Sequence, residues 1–247
     1  MRASYVGRMT SAISNKIGFS PNLISQGALW LDAADLNSIT KDGSNNVSQW
    51  TDKFGNSNAT QGTGANQPVY TANILNNKPI IRFGGNDFLN LASAIHTLTN
   101  NNNTCFVVAN TTTTNATQRL LSMSEAGSSR YNLQFDSTVG QISFQSRNAF
   151  GSAVSIGSMT ETNFNIIRGR RAGTTQAITF NAGTEQTNAS GADEAGIDAA
   201  TIGAFTDGTT NPLTGDIAEI IIYEKSLSES EIRSVEQYLS LKWGIQI

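Results

Sequence analysis

At 247 residues the chain has the length of one large domain or two small ones, and with 14% charged residues and a net charge of -3 it carries no electrostatic footprint for a nucleic-acid backbone. Cys105 is the only cysteine, which excludes an intrachain disulfide and a multi-cysteine zinc site, and no window approaches the roughly eighteen consecutive apolar residues of a membrane-spanning helix. Many Gly, Asn, Ser and Thr with only 4 Pro describe short strands joined by polar turns, an all-β composition.

The first 20 residues hold Arg2, Arg8 and Lys16 without an acid, and Val6, Met9, Ile13 and Ile17 recur at helical spacing. Residues 1–26 therefore read as a basic amphipathic arm that docks on a partner. The arm lacks the continuous apolar stretch and the small-residue cleavage site of a secretory signal. Alternation and turn residues then predict strands at 28–32, 47–52, 79–84, 87–91, 104–110, 119–124, 130–136 and 141–146. More follow at 152–157, 164–170, 176–181, 200–205 and 216–223. So many strands with little helix between them point to a β-sandwich or barrel, and residues 27–247 show no break that would make a second domain. Asn-rich patches such as 56–67 and 99–104 read as hairpin loops, because Asn tolerates left-handed turn geometry.

The last element is a helix over 229–243. Ser228 stands three residues before Glu231 as a capping box, Leu227 and Ile232 are placed for the hydrophobic staple, and Gly244 sits at the C-cap. Ile232, Val235 and Leu239 fall on one face, which should pack on the sandwich.

Few residues offer chemistry. Asp216 and Glu219 flank an apolar run, but a spacing of three sends them to opposite faces of a strand unless a bulge intervenes, so they read as architectural and not as a catalytic pair. His96 is the only histidine, and no Ser or Cys105 lies in a recognisable nucleophile turn, which argues against nucleophilic catalysis and a histidine metal site. The segments 31–37, 41–46 and 84–88 supply carboxylates and amides for calcium without the spacing of a dedicated loop; Asx-turn chemistry is the alternative. Trp30 and Trp50 lie in alternating strands and read as core residues. No catalytic, cofactor-binding or metal residue is assigned, and the ligand-binding residues stay unknown.

Two blocks carry a family resemblance. GALWLDAADLNSITKDGSNNVSQWTDKFGNSNATQ followed by KPIIRFGGNDFL resembles the opening of laminin-G-like, concanavalin A-like jelly-roll domains, with its W-x-D-x-x-G-N turn and F-x-G-x-D-x-L strand pair. TGDIAEIIIYEKSLSESEIRSVEQYLSLKWGI is similar to their closing strand and the helix after it. The resemblance spans about residues 27–247 and implies two curved antiparallel sheets serving adhesion, glycan binding or assembly, in some members with calcium. The Glu-x-Asp-x-x-Glu strand of the jelly-roll glucanases is absent, so no catalytic role carries over. Such domains also recur in virion proteins of bacterial viruses.

The sequence-based expectation is thus a concanavalin A-like (laminin-G-like) jelly-roll β-sandwich with a C-terminal helix and an N-terminal arm. Its expected function is that of a non-enzymatic structural or adhesion protein on a phage virion surface, as a head decoration, fibre or tail component. The arm would dock other virion proteins, and the chain would form homo-oligomers such as trimers. The alternatives are a carbohydrate-binding lectin, extracellular or on a fibre and recognising a host-surface glycan, and a glycoside hydrolase.

Overall fold

The apolar runs TCFVVA and IAEIIIY do not alternate as half-buried strands do, which marks strands covered on both faces. A computed structural model, which describes residues 18–93, 95, 102–146, 153–189 and 196–247, shows what covers them. Strands β1 (Gly27–Asp32), β2 (Ile39–Lys41), β3 (Val47–Trp50), β4 (Ala59–Thr60), β5 (Val69–Leu75), β6 (Lys78–Gly84) and β7 (Leu89–Leu91) precede the long strand β8 (Asn102–Thr111). Then come β9 (Gln118–Glu125), β10 (Ser128–Phe135), β11 (Ile142–Ser146), β12 (Val154–Ile156), β13 (Asn165–Ala172), β14 (Thr175–Phe180), β15 (Gln186–Ala189), β16 (Ala199–Ile202) and β17 (Thr214–Tyr223). The helix α1 (Glu229–Trp243) follows.

These strands form a sandwich of two antiparallel sheets. An eight-stranded sheet runs β15-β14-β13-β8-β17-β6-β5 with β1 also paired to β17, and a nine-stranded sheet runs β12-β11-β10-β9-β16-β7-β4-β3-β2. The sheets face each other across Leu29, Leu31, Trp50, Phe83, Val107, Leu121, Leu133, Phe144, Ile220 and Ile222. Gly169 on β13 is fixed by this contact: a Cβ there would lie 2.5 Å from the Phe144 ring of the opposite sheet. The outer side of the eight-stranded sheet carries a second apolar layer, in which Trp30, Ile80, Phe106, Val108, Ile166 and Ile221 meet Ile232, Val235, Leu239 and Trp243 of α1. Each such side chain contributes roughly 1.5–3 kcal/mol when fully buried. The helix is therefore the second cover that β8 and β17 require.

The start of α1 follows its sequence. The Ser228 side chain accepts from the Glu231 backbone N–H, and the Glu231 carboxylate accepts in return from the Ser228 N–H at 2.9 Å. Gly244 closes the helix in the left-handed conformation, φ 71°. Of the expected N-terminal arm, residues 1–17 lie outside the described residues. Residues 18–26 lie against the helix layer, with Phe19 and Ile24 packed in it, and the Pro21 carbonyl accepts from the Tyr223 hydroxyl at 3.0 Å.

The W-x-D-x-x-G-N turn also has a physical reading. The buried Asp52 carboxylate accepts backbone N–H groups from Trp30, Phe54, Asn56 and Ser57 at 2.7–3.0 Å, locking the turn after β3 onto β1.

One expectation needs correcting. Asp216 and Glu219 do not face opposite sides, because a β-bulge between Ile217 and Glu219 inserts an extra residue just where the neighbour of β17 changes from β6 to β1. Both carboxylates therefore point to the outer, helix-covered side. Asp216 forms a bidentate pair with Arg82 at 2.7 and 2.9 Å. Glu219 is 1% exposed and accepts four hydrogen bonds: from Trp30 Nε1 at 2.7 Å, Tyr238 OH at 2.8 Å, Lys242 Nζ at 2.8 Å and Trp243 Nε1 at 2.6 Å. Burial pushes its carboxyl above the usual range while Lys242 pulls it back. Lys242 also pairs with Asp32 at 2.6 Å, and Asp32 with Lys53 at 3.0 Å, so the network ties α1 to β1 and β17.

Replacing Glu219 by Ala strands two indole N–H groups and a phenol in a largely buried layer, with Lys242 left to Asp32 alone among its carboxylates, and is expected to cost about 3–5 kcal/mol in urea denaturation. At the helix start, hydrogen bonds from Lys225 and the Ser228 backbone hold the Glu231 carboxyl below its ordinary, unfolded-chain pKa. Its contribution is accordingly full above that value and is lost as the pH falls through the lowered folded one. The stability advantage of wild type over Glu231→Gln should therefore be present at neutral pH and disappear in acid, as read from urea midpoints across the pH range.

Candidate functional site

Among the described residues no helix packs on the outer side of the nine-stranded sheet, and here the sequence alternates along most of each strand. In β9, β10 and β11 the residues Leu121, Met123, Tyr131, Leu133, Phe135, Ile142 and Phe144 enter the core. Ser122, Arg130, Asn132, Gln134, Ser143 and Gln145 alternate with them and are left for the outer face, and Arg119 joins them because the β9–β10 register shifts there, leaving both Leu120 and Leu121 in the core. Register aligns their polar groups. Gln145 lies opposite Asn132, Asn132 opposite Ser122, Ser122 opposite Thr201, Thr201 opposite Asn90, Asn90 opposite Thr60, Thr60 opposite Gln49 and Gln49 opposite Thr40. A row of amides and hydroxyls thus crosses the sheet from β11 to β2; its middle, Asn132, Ser122 and Thr201, is 0–1% exposed, and the members that reach the surface are Gln145, Asn90, Thr60, Gln49 and Thr40.

A second, parallel row runs from Ser155 through Ser143 and Gln134 to Arg119. Side-chain bonds hold this end of the face in place. Ser122 donates to Asn132 Oδ1 at 2.8 Å, Gln134 Nε2 donates to Asp136 at 2.7 Å, and Ser143 donates to the same Asp136 oxygen at 2.9 Å. Arg119 Nη1 donates to Gln134 Oε1, and the Phe205 ring centre lies 5.8 Å from Arg119 Cζ. Arg130 is paired with Glu125 at 2.7 Å. Arg119 differs: no carboxylate among the described residues comes within ion-pair distance, its Nε has no hydrogen-bond partner, and burial lowers its pKa. A half-buried guanidinium that feels Asp136 only at a distance, that acid being held by Gln134 and Ser143, can take a carboxylate from a ligand.

Sequence reasoning passed over this face because it sought acids, histidine and tryptophan. The usable signal was the alternation itself, which puts Asn132, Gln134, Ser143 and Gln145 at period two opposite the core residues, whereas Arg119, of the same parity as Leu121, reaches the outer face through the irregularity at Leu120, which spacing does not encode. The residues that were singled out go elsewhere. Trp30 and Trp50 are buried in the two apolar layers. Cys105 is buried in the core, and desolvation pushes its thiol up to about 11, far from a thiolate at neutral pH. His96 lies outside the described residues.

In the three segments considered for calcium, the carboxylates are engaged locally. Asp42 accepts from the Ser44 and Asn46 N–H groups at 2.8 Å, an Asx turn. Asp32 and Asp35 both pair with Lys53, and Asp87 accepts from the Gly84 N–H at 2.6 Å. Among the described residues no group of three His, Cys, Asp or Glu could hold a metal ion.

The model of the Laminin_G_3 family, described as the concanavalin A-like lectin/glucanases superfamily, matches residues 83–233. The chain belongs to that superfamily. No curated protein matches the chain. Among solved structures, a Trypanosoma rangeli sialidase in complex with sialic acid is similar at 17% identity and a TM-score of 0.61, over 89% of this chain and 33% of that one. A variant of NanB sialidase from Streptococcus pneumoniae is similar at 18% and 0.52, over 62% of this chain and 26% of that one. The CBM40 module of the Ruminococcus gnavus IT-sialidase is similar at 17% and 0.51, over 68% of this chain and 96% of that module. At these identities the likeness is one of fold, and the chain spans about a third of the length of the first sialidase it matches.

These neighbours overturn the expectation of a phage virion structural protein anchored by its N-terminal arm. The structures with which the fold aligns are sialidases and a CBM40 module.

Because Arg119 satisfies no buried partner charge, Arg119→Ala is expected to change stability by less than about 1 kcal/mol, in contrast to Glu219→Ala. Urea denaturation of the two variants side by side checks this.

Proposed function

We propose that the chain is a non-catalytic carbohydrate-binding module whose site is the outer face of the nine-stranded sheet, with Arg119 receiving the carboxylate of an acidic sugar. The observation that carries the reading is the combination of a cross-sheet row of neutral hydrogen-bonding side chains, exposed at Asn90, Thr60 and Thr40, with an arginine that no described carboxylate pairs. Sugars present rows of hydroxyls that each donate and accept, and amides and hydroxyls match them on both counts. The carboxylate adds a charge-assisted bond of the stronger class. Superfamily membership is consistent with a lectin. The neighbouring Trypanosoma rangeli structure holds sialic acid, which makes that sugar the first acidic ligand to test.

The non-catalytic part of the reading rests on how the acids of this face are used. Glu125 is paired with Arg130, and Asp136 is held by Gln134 and Ser143. Glu161, near Asp136, is 3% exposed, and burial raises its pKa. Among the described residues this leaves the face without the free pair of cleft-facing carboxylates that glycoside hydrolysis uses.

Calorimetric titration with sialyllactose and with lactose tests the proposal. Sialyllactose should bind the more tightly, and Arg119→Ala should weaken it by about 10–100-fold, the worth of a charge-assisted bond, while leaving lactose unaffected. Prolonged incubation should release no free sialic acid. Absence of binding to sialyllactose and to other acidic sugars, or equal affinity in the variant, would sink the assignment.

A further inference from the structure

A separate cleft of about 550 Å³ opens at the margin of the eight-stranded sheet, between residues 158–165, the end of β14 and the segment after α1. None of its lining residues belongs to the nine-stranded sheet, and none of the side chains lining it is ionisable. The walls are amides and hydroxyls set around two half-buried rings, Phe164 and Phe180. Its volume falls within the range typical of small-ligand sites.

Two sets of polar side chains line it, and they behave differently. One set is spent on the frame. Asn181 accepts from the Ile166 N–H at 2.9 Å and donates to Asn165 Oδ1 at 2.9 Å, while Asn165 donates to the carbonyls of Thr160 and Asn163 at 3.1 and 2.7 Å. Asn110 donates to the Thr162 carbonyl at 3.3 Å. These bonds hold residues 160–165 to the sheet, so the cleft is formed before any ligand arrives. The other set is unspent: the side chains of Thr160, Thr162, Asn163 and Gln246 are exposed and make no hydrogen bond among the described residues.

We propose that this cleft is a second binding site, specific for an uncharged oligosaccharide. Free amides and hydroxyls supply both donors and acceptors for sugar hydroxyls, and the phenylalanine rings offer apolar faces for the C–H side of a pyranose. A charged ligand finds no counter-ion there and loses its hydration without return. The two sites would read different sugars, a neutral one in this cleft and an acidic one on the nine-stranded sheet. The inference does not rest on the role of Arg119, since the sites share no residue.

The test is calorimetric titration of the full chain with maltotriose, cellotriose, chitotriose and lactose. At least one should bind, the double variant Asn163→Ala/Gln246→Ala should bind it about tenfold more weakly, and Arg119→Ala should bind it as wild type does. Both substituted positions are exposed, so the double variant keeps its fold, which its urea midpoint verifies. Failure of all four sugars to bind, or unchanged affinity in the double variant, overturns the proposal. Loss of binding in Arg119→Ala instead would move the neutral sugar to the other face and overturn it equally. None of these outcomes bears on the response to sialyllactose.

Discussion

A carboxylate removed from water has four lone-pair positions to fill, and Glu219 on β17 fills them from two other elements: Trp30 on β1, and Tyr238, Lys242 and Trp243 on α1. The arrangement depends on the bulge at Ala218, which turns Glu219 outward beneath the helix while Ile220 returns to the core. Without that inserted residue the carboxylate would point between the sheets. Such a group is weak as net stabilisation but strong as a specification, because only one docking of α1 satisfies all its donors.

The bulge and the helix together give the sandwich two unlike sides. The eight-stranded sheet is covered, so its central strands are apolar throughout and its charges are locked into pairs. The nine-stranded sheet is open, so its strands alternate and their outward residues remain polar. Chemistry available to a ligand is accordingly found on the open sheet and at the margin of the covered one, where residues 158–165 and the tail of α1 leave a gap.

Much of the architecture was legible in the sequence because local rules and tertiary demands agreed. The capping box at Ser228 and Glu231, the stop at Gly244 and the apolar strands appear where patterning puts them. The strands that escaped notice, β2, β4, β5 and β15, are short or exposed; β15 has the sequence QTNA with every residue exposed, so no buried face imprints an alternation on it. Asp216 and Glu219 were misplaced because a bulge is set by partner exchange along β17, which spacing alone does not encode. The binding face was hidden for another reason: Asn132, Ser122, Thr201 and Asn90 are scattered through the chain and become a row only when antiparallel register brings them abreast.

The position of Ile247 has a practical consequence. The chain leaves α1 on the covered side, and Gln246, one residue earlier, lines the amide cleft. Tethering the protein to a sensor surface through its C-terminus would present the open sheet squarely to solution while crowding the cleft. Reversing the tether, or leaving the protein free, would expose both. The attachment chemistry would thus select which of the two sugars the module is seen to recognise.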